Sequence, residues 1–294
     1  MEKKRIGMVG VGLMGHGIAL NILKHGWSLN FLEHPGNQPV ADLQARGAVG
    51  MTDRAAFAKV SDILILCVNG TPQVEAILLG EEGLLRAIRP GTVIIDCSTA
   101  VPSSTIRIAD LAAQAGARMM DAAMTRTPLE AAQGRLNLLI GADPALYEEI
   151  TPLLETFSEN RFYAGPIGSG HKLKLLHNFV SLGFVTLLGE AAACAAEGGI
   201  APEILVDALQ KGGGYGAALD RVSPYLLRSE TAQMKFSVFN TQKDIDYYVR
   251  MASALGTPHS IASGLLAAVN SLKDAGFEQS FIPEATDLFR KIKT

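Results

Sequence analysis

Two groups of residues in this 294-residue chain have the types and spacing of working parts. The first is Gly10-Val11-Gly12-Leu13-Met14-Gly15, which fits G-x-G-x-x-G. In that pattern one glycine allows a tight turn, the next lets a pyrophosphate approach the backbone, and the third packs helix on strand. With 30 glycines in the chain a chance match is easy, and a plain strand-turn-helix would use the same residues. The context favours a dinucleotide: Ile6, Met8 and Val9 supply a short apolar strand before the glycines, and Ile18, Ala19, Ile22 and Leu23 recur at helical spacing after them. The second group is His171, Lys174 and Asn178, which stand at i, i+3 and i+7 on one helical face, with Leu173, Leu175, Leu176 and Phe179 on the others. A lysine in such surroundings loses hydration, which disfavours its ammonium form and suits a general acid and base. The competing reading, equally simple, is a lysine that snorkels to solvent from a helix start.

These groups need a scaffold. Ser28-Leu29-Asn30-Phe31-Leu32 reads as a second strand ending in Glu33, about where dinucleotide folds present an acid to the adenosine ribose. A carboxylate there would accept from the ribose hydroxyls and repel a 2'-phosphate, so NAD is expected, with NADP as the alternative because His34 is a nearby cation. Ile63-Leu64-Ile65-Leu66-Cys67-Val68 is continuously apolar, as in a strand buried on both faces of a parallel sheet. Thr92-Val93-Ile94-Ile95-Asp96, Arg118-Met119-Met120-Asp121-Ala122 and Leu136-Asn137-Leu138-Leu139-Ile140-Gly141 are further strands, separated by helical stretches such as 103–115. The alternation predicts an α/β fold with a doubly wound Rossmann sheet over residues 1–164.

From 165 to 294 the pattern is helical only. Residues 171–197 contain no proline and predict a helix of roughly 40 Å, joining the sheet domain to an all-α second domain. Gly183 and Gly189 inside it are expected where another helix approaches closely. Further helices are expected over 202–211, 220–227, 240–255, 259–275 and 282–293.

Composition narrows the function classes. Basic and acidic residues number 26 and 29, for a net charge of -3, with no run of five like charges, so no nucleic-acid footprint is expected. The apolar stretches read as too short or interrupted to span a bilayer, and Met1-Glu2-Lys3-Lys4-Arg5 leads into the first strand without a signal-peptide core. A cytoplasmic protein with no membrane partner is the expectation. Cys67, Cys97 and Cys194 lack C-x-x-C spacing and read as buried reduced thiols. No metal site is expected, since the six histidines do not cluster with cysteines or carboxylates.

The motifs together resemble the 3-hydroxyisobutyrate dehydrogenase, or β-hydroxyacid dehydrogenase, family, from the N-terminus to about Ala275. Gly10-Val11-Gly12-Leu13-Met14-Gly15, followed by Ala19, Asn21, Leu23 and Gly26, is similar to its nucleotide motif. Asp96-Cys97-Ser98-Thr99 with Pro102 resembles its D-x-S-T motif. Gly168-Ser169-Gly170, Lys174 and Asn178 resemble G-x-G-x-x-x-K-x-x-N-N, with His177 replacing the first asparagine, and Lys243-Asp244 resembles K-D-L. The resemblance implies Lys174 as the catalytic lysine and Asn178 as its partner or the substrate's. It also implies Ser98 at the substrate, Thr99 and Lys243 beside the nicotinamide, and Leu13, Met14, Val68, Asn69 and Gln73 at the cofactor. Val68-Asn69 stands where the family has Leu-Pro. A homodimer or homotetramer assembled through the second domain is implied as well.

One segment departs from the pattern. Where most of the family carries D-A-P-V-S-G-G, this chain has Asp121-Ala122-Ala123-Met124-Thr125-Arg126-Thr127. Arg126 puts a planar five-donor cation in place of a bare amide, and it is expected to bind a carboxylate or sulfonate with Thr125 and Thr127, unless it turns outward or pairs with Glu130. Sulfolactaldehyde reductases of the family look similar at this spot. The expected activity is an NAD-linked oxidoreductase interconverting a small 3-hydroxy acid, or a related anionic alcohol, with its semialdehyde. Lys174 argues against an imine reductase, the chain length argues against a 6-phosphogluconate dehydrogenase, and a nucleotide-sensing module without turnover would leave Lys174 and Asn178 idle.

Overall fold

The computed structural model describes residues 4–292. Contacts divide the chain into two compact units, Met1–Lys174 and Leu175–Thr294. The division falls inside the long helix rather than at 164/165, because the first turn of that helix is held by a side chain of the N-terminal unit.

The N-terminal unit is one sheet of β1 (Ile6–Val9), β2 (Leu29–Leu32), β3 (Val49–Met51), β4 (Ile63–Leu66), β5 (Val93–Asp96), β6 (Arg118–Thr125), β7 (Leu136–Gly141) and β8 (Ser158–Gly165), in the order β3-β2-β1-β4-β5-β6-β7-β8. The strands from β3 to β6 pair in parallel, β7 runs antiparallel to β6, and β8 pairs in parallel with β7. Strand alternation sorts the apolar residues onto two faces: Ile63, Ile65, Val93 and Ile95 join one buried cluster, while Leu64, Leu66 and Ile94 join the other. That two-sided burial is why the strands read as unbroken apolar runs. The doubly wound α/β architecture expected from the sequence is therefore present, with β7 as an antiparallel departure. Neither β3, a three-residue strand containing Gly50, nor β8, whose side chains are mostly exposed, has an apolar run to announce it.

Around the sheet lie α1 (Gly15–Lys24), α2 (Ala41–Gln44), α3 (Arg54–Val60), α4 (Thr71–Leu79), α5 (Pro102–Gln114), α6 (Pro128–Gln133) and α7 (Pro144–Leu154). Helix α8 (Ser169–Glu197) then carries the chain into the second unit, which contains α9 (Pro202–Lys211), α10 (Ala217–Arg228), α11 (Val238–Ala254), α12 (Ser260–Asp274) and α13 (Ala285–Lys291). Lys293, expected at the end of the last helix, lies outside the described residues.

The second unit has its own core, in which Val185 and Leu188 of α8 meet Leu219, Val222, Val269 and Leu288. A Cβ on Gly189 would sit 2.8 Å from that of Ala285, and one on Gly183 would sit 3.2 Å from the Leu265 side chain, so both glycines mark close approaches as expected. Two expectations are corrected. By length and composition alone α8 could cross a membrane, as a core helix of a soluble protein also could. Cys194 is exposed, because the apolar composition of α8 continues around the helix and does not mark its buried side.

Helices α1 and α6 lock together through Asn21 and Gly17. The buried Asn21 amide donates to the carbonyls of Gly17, Ala131 and Ala132 at 2.8, 2.9 and 3.1 Å, so it reaches from α1 to the last turn of α6. A Cβ on Gly17 would meet the Ala131 backbone at 2.5 Å. The helix that follows the glycine loop is thus pinned to the helix that follows Thr125-Arg126-Thr127. Asn21→Leu removes these bonds between the helices and leaves a buried carbonyl short of a donor, and urea unfolding should show a loss of about 1–3 kcal/mol; an unchanged midpoint would show that the amide does not hold the helices.

Candidate active site

The three glycines divide the labour that their motif requires. Gly10 has φ +90°, and a Cβ there would lie 2.3 Å from the Cys67 carbonyl oxygen; at Gly15 it would lie 2.0 Å from that of Gly10; at Gly12 it would meet nothing within 4 Å. Two glycines serve turn and packing, and the third leaves its backbone open to a ligand. The first turn of α1 has no side-chain cap and no acidic residue, so its free amides suit a pyrophosphate.

Beside this loop is a cleft of about 380 Å³ at the carboxyl ends of β1 and β4, where the strand order reverses. Ligands of such sheets bind at that switch point. Gly10, Gly12, Val68, Asn69 and Gln73, all expected at the cofactor, line it. Leu13 is exposed and Met14 half-buried at the start of α1. Glu33 follows β2 with its carboxylate turned over β3, where a Cβ on Gly50 would come within 2.4 Å of Oε1, while His34 and Arg54 line the cleft. Arg54 and Asn37 had no motif to mark them. Asn37 accepts the Val11 amide at 3.1 Å and donates to the Leu32 carbonyl at 3.2 Å, tying the loop after β2 to the glycine loop.

The D-x-S-T segment follows β5. Ser98 is buried, its amide donates to Asp96 Oδ1 at 2.9 Å, and its hydroxyl accepts the Val68 amide at 3.1 Å. Ser98 therefore braces the loops after β4 and β5 and sets the half-buried Thr99 beside them.

At the end of β6, the Thr125 hydroxyl accepts from Asn137 Nδ2 at 3.1 Å, and Arg126 adopts φ +84°, the left-handed region that favours glycine. Its guanidinium is ion-paired with Glu159 and donates to the Arg135 carbonyl. The ion-pair partner is Glu159 and not Glu130, the alternative to a substrate contact, because β8 brings Glu159 alongside. The Arg126 bond holds the Glu159 carboxyl below the usual carboxylate range. Glu130 instead accepts the Thr127 amide at 3.0 Å in a capping box, and Thr127 caps α6.

The start of α8 is held from below. Asp121, fully buried in β6, accepts the amides of Gly168 at 2.7 Å and His171 at 2.6 Å, one on each carboxylate oxygen. A Cβ on Gly170 would come within 2.3 Å of the Leu139 carbonyl oxygen, so only glycine lets α8 rest on the sheet here. Burial raises the Asp121 pKa, against the amides and His171, which lower it. Lys174 follows within one turn and keeps only 9% of its surface, so it does not snorkel into solvent.

The second unit supplies a buried polar chain. Asn178, four residues beyond Lys174 on α8, donates to Asp244 Oδ2 at 2.6 Å. Lys243 pairs with Asp244 Oδ1 at 2.9 Å and lies 5.3 Å from the centre of the Tyr247 ring. Asp244 of this pair is buried and Lys243 half-buried.

Both units resemble known proteins. Residues 5–165 match the family described as "NAD binding domain of 6-phosphogluconate dehydrogenase", and residues 168–280 match "NAD-binding of NADP-dependent 3-hydroxyisobutyrate dehydrogenase". The chain is 30% identical to 2-(hydroxymethyl)glutarate dehydrogenase of Eubacterium barkeri, over 83% of this chain and 81% of that one. It is also 30% identical to 2-hydroxy-3-oxopropionate reductase of Escherichia coli, over 85% of each. The crystal structure of 3-hydroxyisobutyrate dehydrogenase from Salmonella typhimurium superposes with a TM-score of 0.85 at 26% identity, over 98% of this chain and 100% of that one.

The glycine geometry separates folding from binding. Gly15→Ala should cost about 1–3 kcal/mol of stability through overpacking. Gly12→Ala should fold normally but bind NADH about tenfold more weakly, the loss of roughly 1.5 kcal/mol of charge-assisted contact. Thermal melts and fluorescence titration check both, and normal affinity in Gly12→Ala would remove the pyrophosphate from this loop.

Proposed function

The chain belongs to the 3-hydroxyisobutyrate dehydrogenase family, whose members act on CH–OH donors with a nicotinamide dinucleotide, and from that premise we propose that it interconverts a small anionic 3-hydroxy acid and its semialdehyde with Lys174 as general acid and base. The observation that carries this reading is Lys174 itself, a buried lysine in the second turn of a helix whose start Asp121 holds against the sheet. When bound, the nicotinamide supplies or accepts the hydride. Lys174 gives a proton to the substrate oxygen in reduction and takes it back in oxidation. Asn178 orients the lysine or that oxygen. Thr99 holds the nicotinamide ring, Lys243 takes the cofactor contact that its motif implies, Gly10, Gly12, Leu13, Met14, Gly15, Val68, Asn69 and Gln73 seat the rest of the cofactor, and Ser98, expected at the substrate, keeps the Thr99 loop in register.

NAD is the proposed cofactor, with Glu33 at the ribose, although His34 and Arg54 offer cations to a 2'-phosphate in the same cleft. The relatives named above act on small hydroxy acids, which supports a small anionic substrate and a cytoplasmic enzyme of soluble metabolism. Exposed Leu176, Val180 and Leu187 share a face of α8 and support self-association as a homodimer or homotetramer.

We assign the substrate anion to Thr125, Arg126 and Thr127. Two facts support the arginine. A non-glycine residue at φ +84° stores about 1–2 kcal/mol of strain, which a bare glycine would avoid. Its guanidinium also has five donors, of which Glu159 and the Arg135 carbonyl engage part. A carboxylate or sulfonate competes with Glu159 for the remainder, and a sulfonated aldehyde is the most demanding candidate.

Two experiments test the reading. Lys174→Ala should lower kcat by about 10²–10⁴-fold while the Kd for NADH, read by fluorescence, stays put; a near-normal kcat would take the lysine out of the reaction. A panel of succinic, methylmalonic and tartronic semialdehydes and sulfolactaldehyde should be run with NADH and NADPH on wild type, Arg126→Gly and Glu159→Gln. Arg126→Gly should weaken the best substrate by about 1.5–3 kcal/mol and should melt no earlier, whereas Glu159→Gln should lower its KM. Unchanged KM values in both variants would place the guanidinium outside the substrate pocket.

A further inference from the structure

Helix α11 grips α8 through two consecutive residues of the latter. Asn178, itself buried, donates from Nδ2 to the buried Asp244 Oδ2 at 2.6 Å, and Phe179 beside it stacks on Tyr248 with ring centres 4.2 Å apart and planes 15° from parallel. The second carboxylate oxygen of Asp244 is sealed from water. Lys243 Nζ lies 2.9 Å from it, close enough to neutralise its charge but not aligned as a hydrogen bond. On the other side of the amide, His177, which stands where the resembled motif has an asparagine, brings Nδ1 to 2.9 Å from Asn178 Oδ1.

Each of these groups fixes the polarity of the next. With the Lys243 ammonium beside it, Asp244 is a carboxylate and has only lone pairs to offer. A flipped Asn178 amide would set its oxygen against that carboxylate, two acceptors in contact, so Nδ2 faces Asp244 and Oδ1 faces His177. Because Oδ1 can only accept, the ring nitrogen opposite carries a proton. His177 therefore takes the Nδ1–H form when neutral. One N–H of the Asn178 amide is left to donate elsewhere, and its direction is set by the bond to Asp244 and by the Phe179–Tyr248 stack that keeps the two helices in register.

We propose that Asp244 is a positioning residue that fixes the polarity of the Asn178 amide and so leaves a single N–H of that amide for the substrate oxygen. Asn178 lies one helical turn beyond Lys174 on the same face of α8, so the oxygen that exchanges a proton with the lysine would receive this N–H as its charge develops. The effect on turnover rests on the roles proposed above for Lys174 and Asn178; the polarity of the amide does not.

Two measurements separate these parts. In wild type labelled with ¹⁵N-histidine, at a pH alkaline enough to keep the ring neutral, His177 should carry its proton on Nδ1, the form that a histidine in water disfavours. Asp244→Asn keeps the shape but turns its own oxygen to Lys243 and its NH₂ to Asn178, so the amide flips and the His177 proton should move to Nε2. The same variant should lower kcat about 10- to 100-fold, the worth of one hydrogen bond to a charged group, with the substrate KM nearly unchanged. Asn178→Ala should lose a similar amount, and Asp244→Asn added to it should cost no more than about twofold further, because a residue that acts only through Asn178 then has nothing left to position. If Asp244→Asn does not fold, Asp244→Glu, which keeps the charge and displaces it by one methylene, takes its place in the kcat comparison with the same expectations. An Nε2–H ring at His177 in wild type overturns the amide polarity, and an unaffected kcat in the Asp244 variant, or losses that add in full to those of Asn178→Ala, overturn the positioning role. Should wild type turn over no hydroxy acid or semialdehyde, the function proposed above fails while the His177 proton still judges the amide.

Discussion

The whole arrangement depends on one carboxylate that never meets water. Asp121 sits in the middle of a sheet strand and takes up the amides of Gly168 and His171, which would otherwise be unpaired at the start of α8. Burial alone penalises such a charge, and its pKa is raised accordingly. The two amide bonds, the positive end of the helix and His171 offset that cost. Because the carboxylate has a bond on each oxygen, the first turn of α8 cannot shift on β6 without breaking one of them. Lys174 inherits that rigidity, and in the proton-donating role proposed for it a fixed place is worth more than a donor gathered from solution.

The nucleotide side of the chain is fixed by different means. Glycines at 10 and 15 let backbone touch backbone, and the open backbone at Gly12 faces a cleft at the reversal of strand order. Asn21 and Gly17 then weld α1 to α6, so that the glycine loop and the Thr125-Arg126-Thr127 segment share one foundation. Ser98 does the same for the loops after β4 and β5. Hydrogen bonds between loops, rather than within helices or strands, set the relative places of the working residues.

Much of this was legible in the residues. Apolar runs announced β4 and β5 because both faces of those strands are buried, and the long proline-free stretch announced α8 to within two residues of its start. The glycine motif was readable because Gly10 and Gly15 answer steric demands that only glycine meets, while Gly12 leaves its backbone open. Other features left no local trace. β8 alternates largely exposed side chains at a sheet edge, so no hydrophobic period marks it. Asp96, Asp121, Thr105 and His171 meet only through strand register and a helix docking, and no spacing along the chain encodes that meeting. Arg126 was visible as an intruder in its motif, whereas its partner Glu159 was not, since the pairing depends on the unannounced β8. Arg54 entered the cleft for the same kind of reason, at the head of a helix whose place follows from packing.

The central claim is that Lys174 meets the reacting oxygen, and a crystal structure of the ternary complex with NAD and a non-reactive hydroxy-acid analogue tests it most directly. The account predicts the Lys174 Nζ atom about 2.6–3.2 Å from the analogue's hydroxyl oxygen, with the carbinol carbon about 3–3.5 Å from the nicotinamide. An amine turned into bulk solvent, with another side chain at that oxygen, would contradict it.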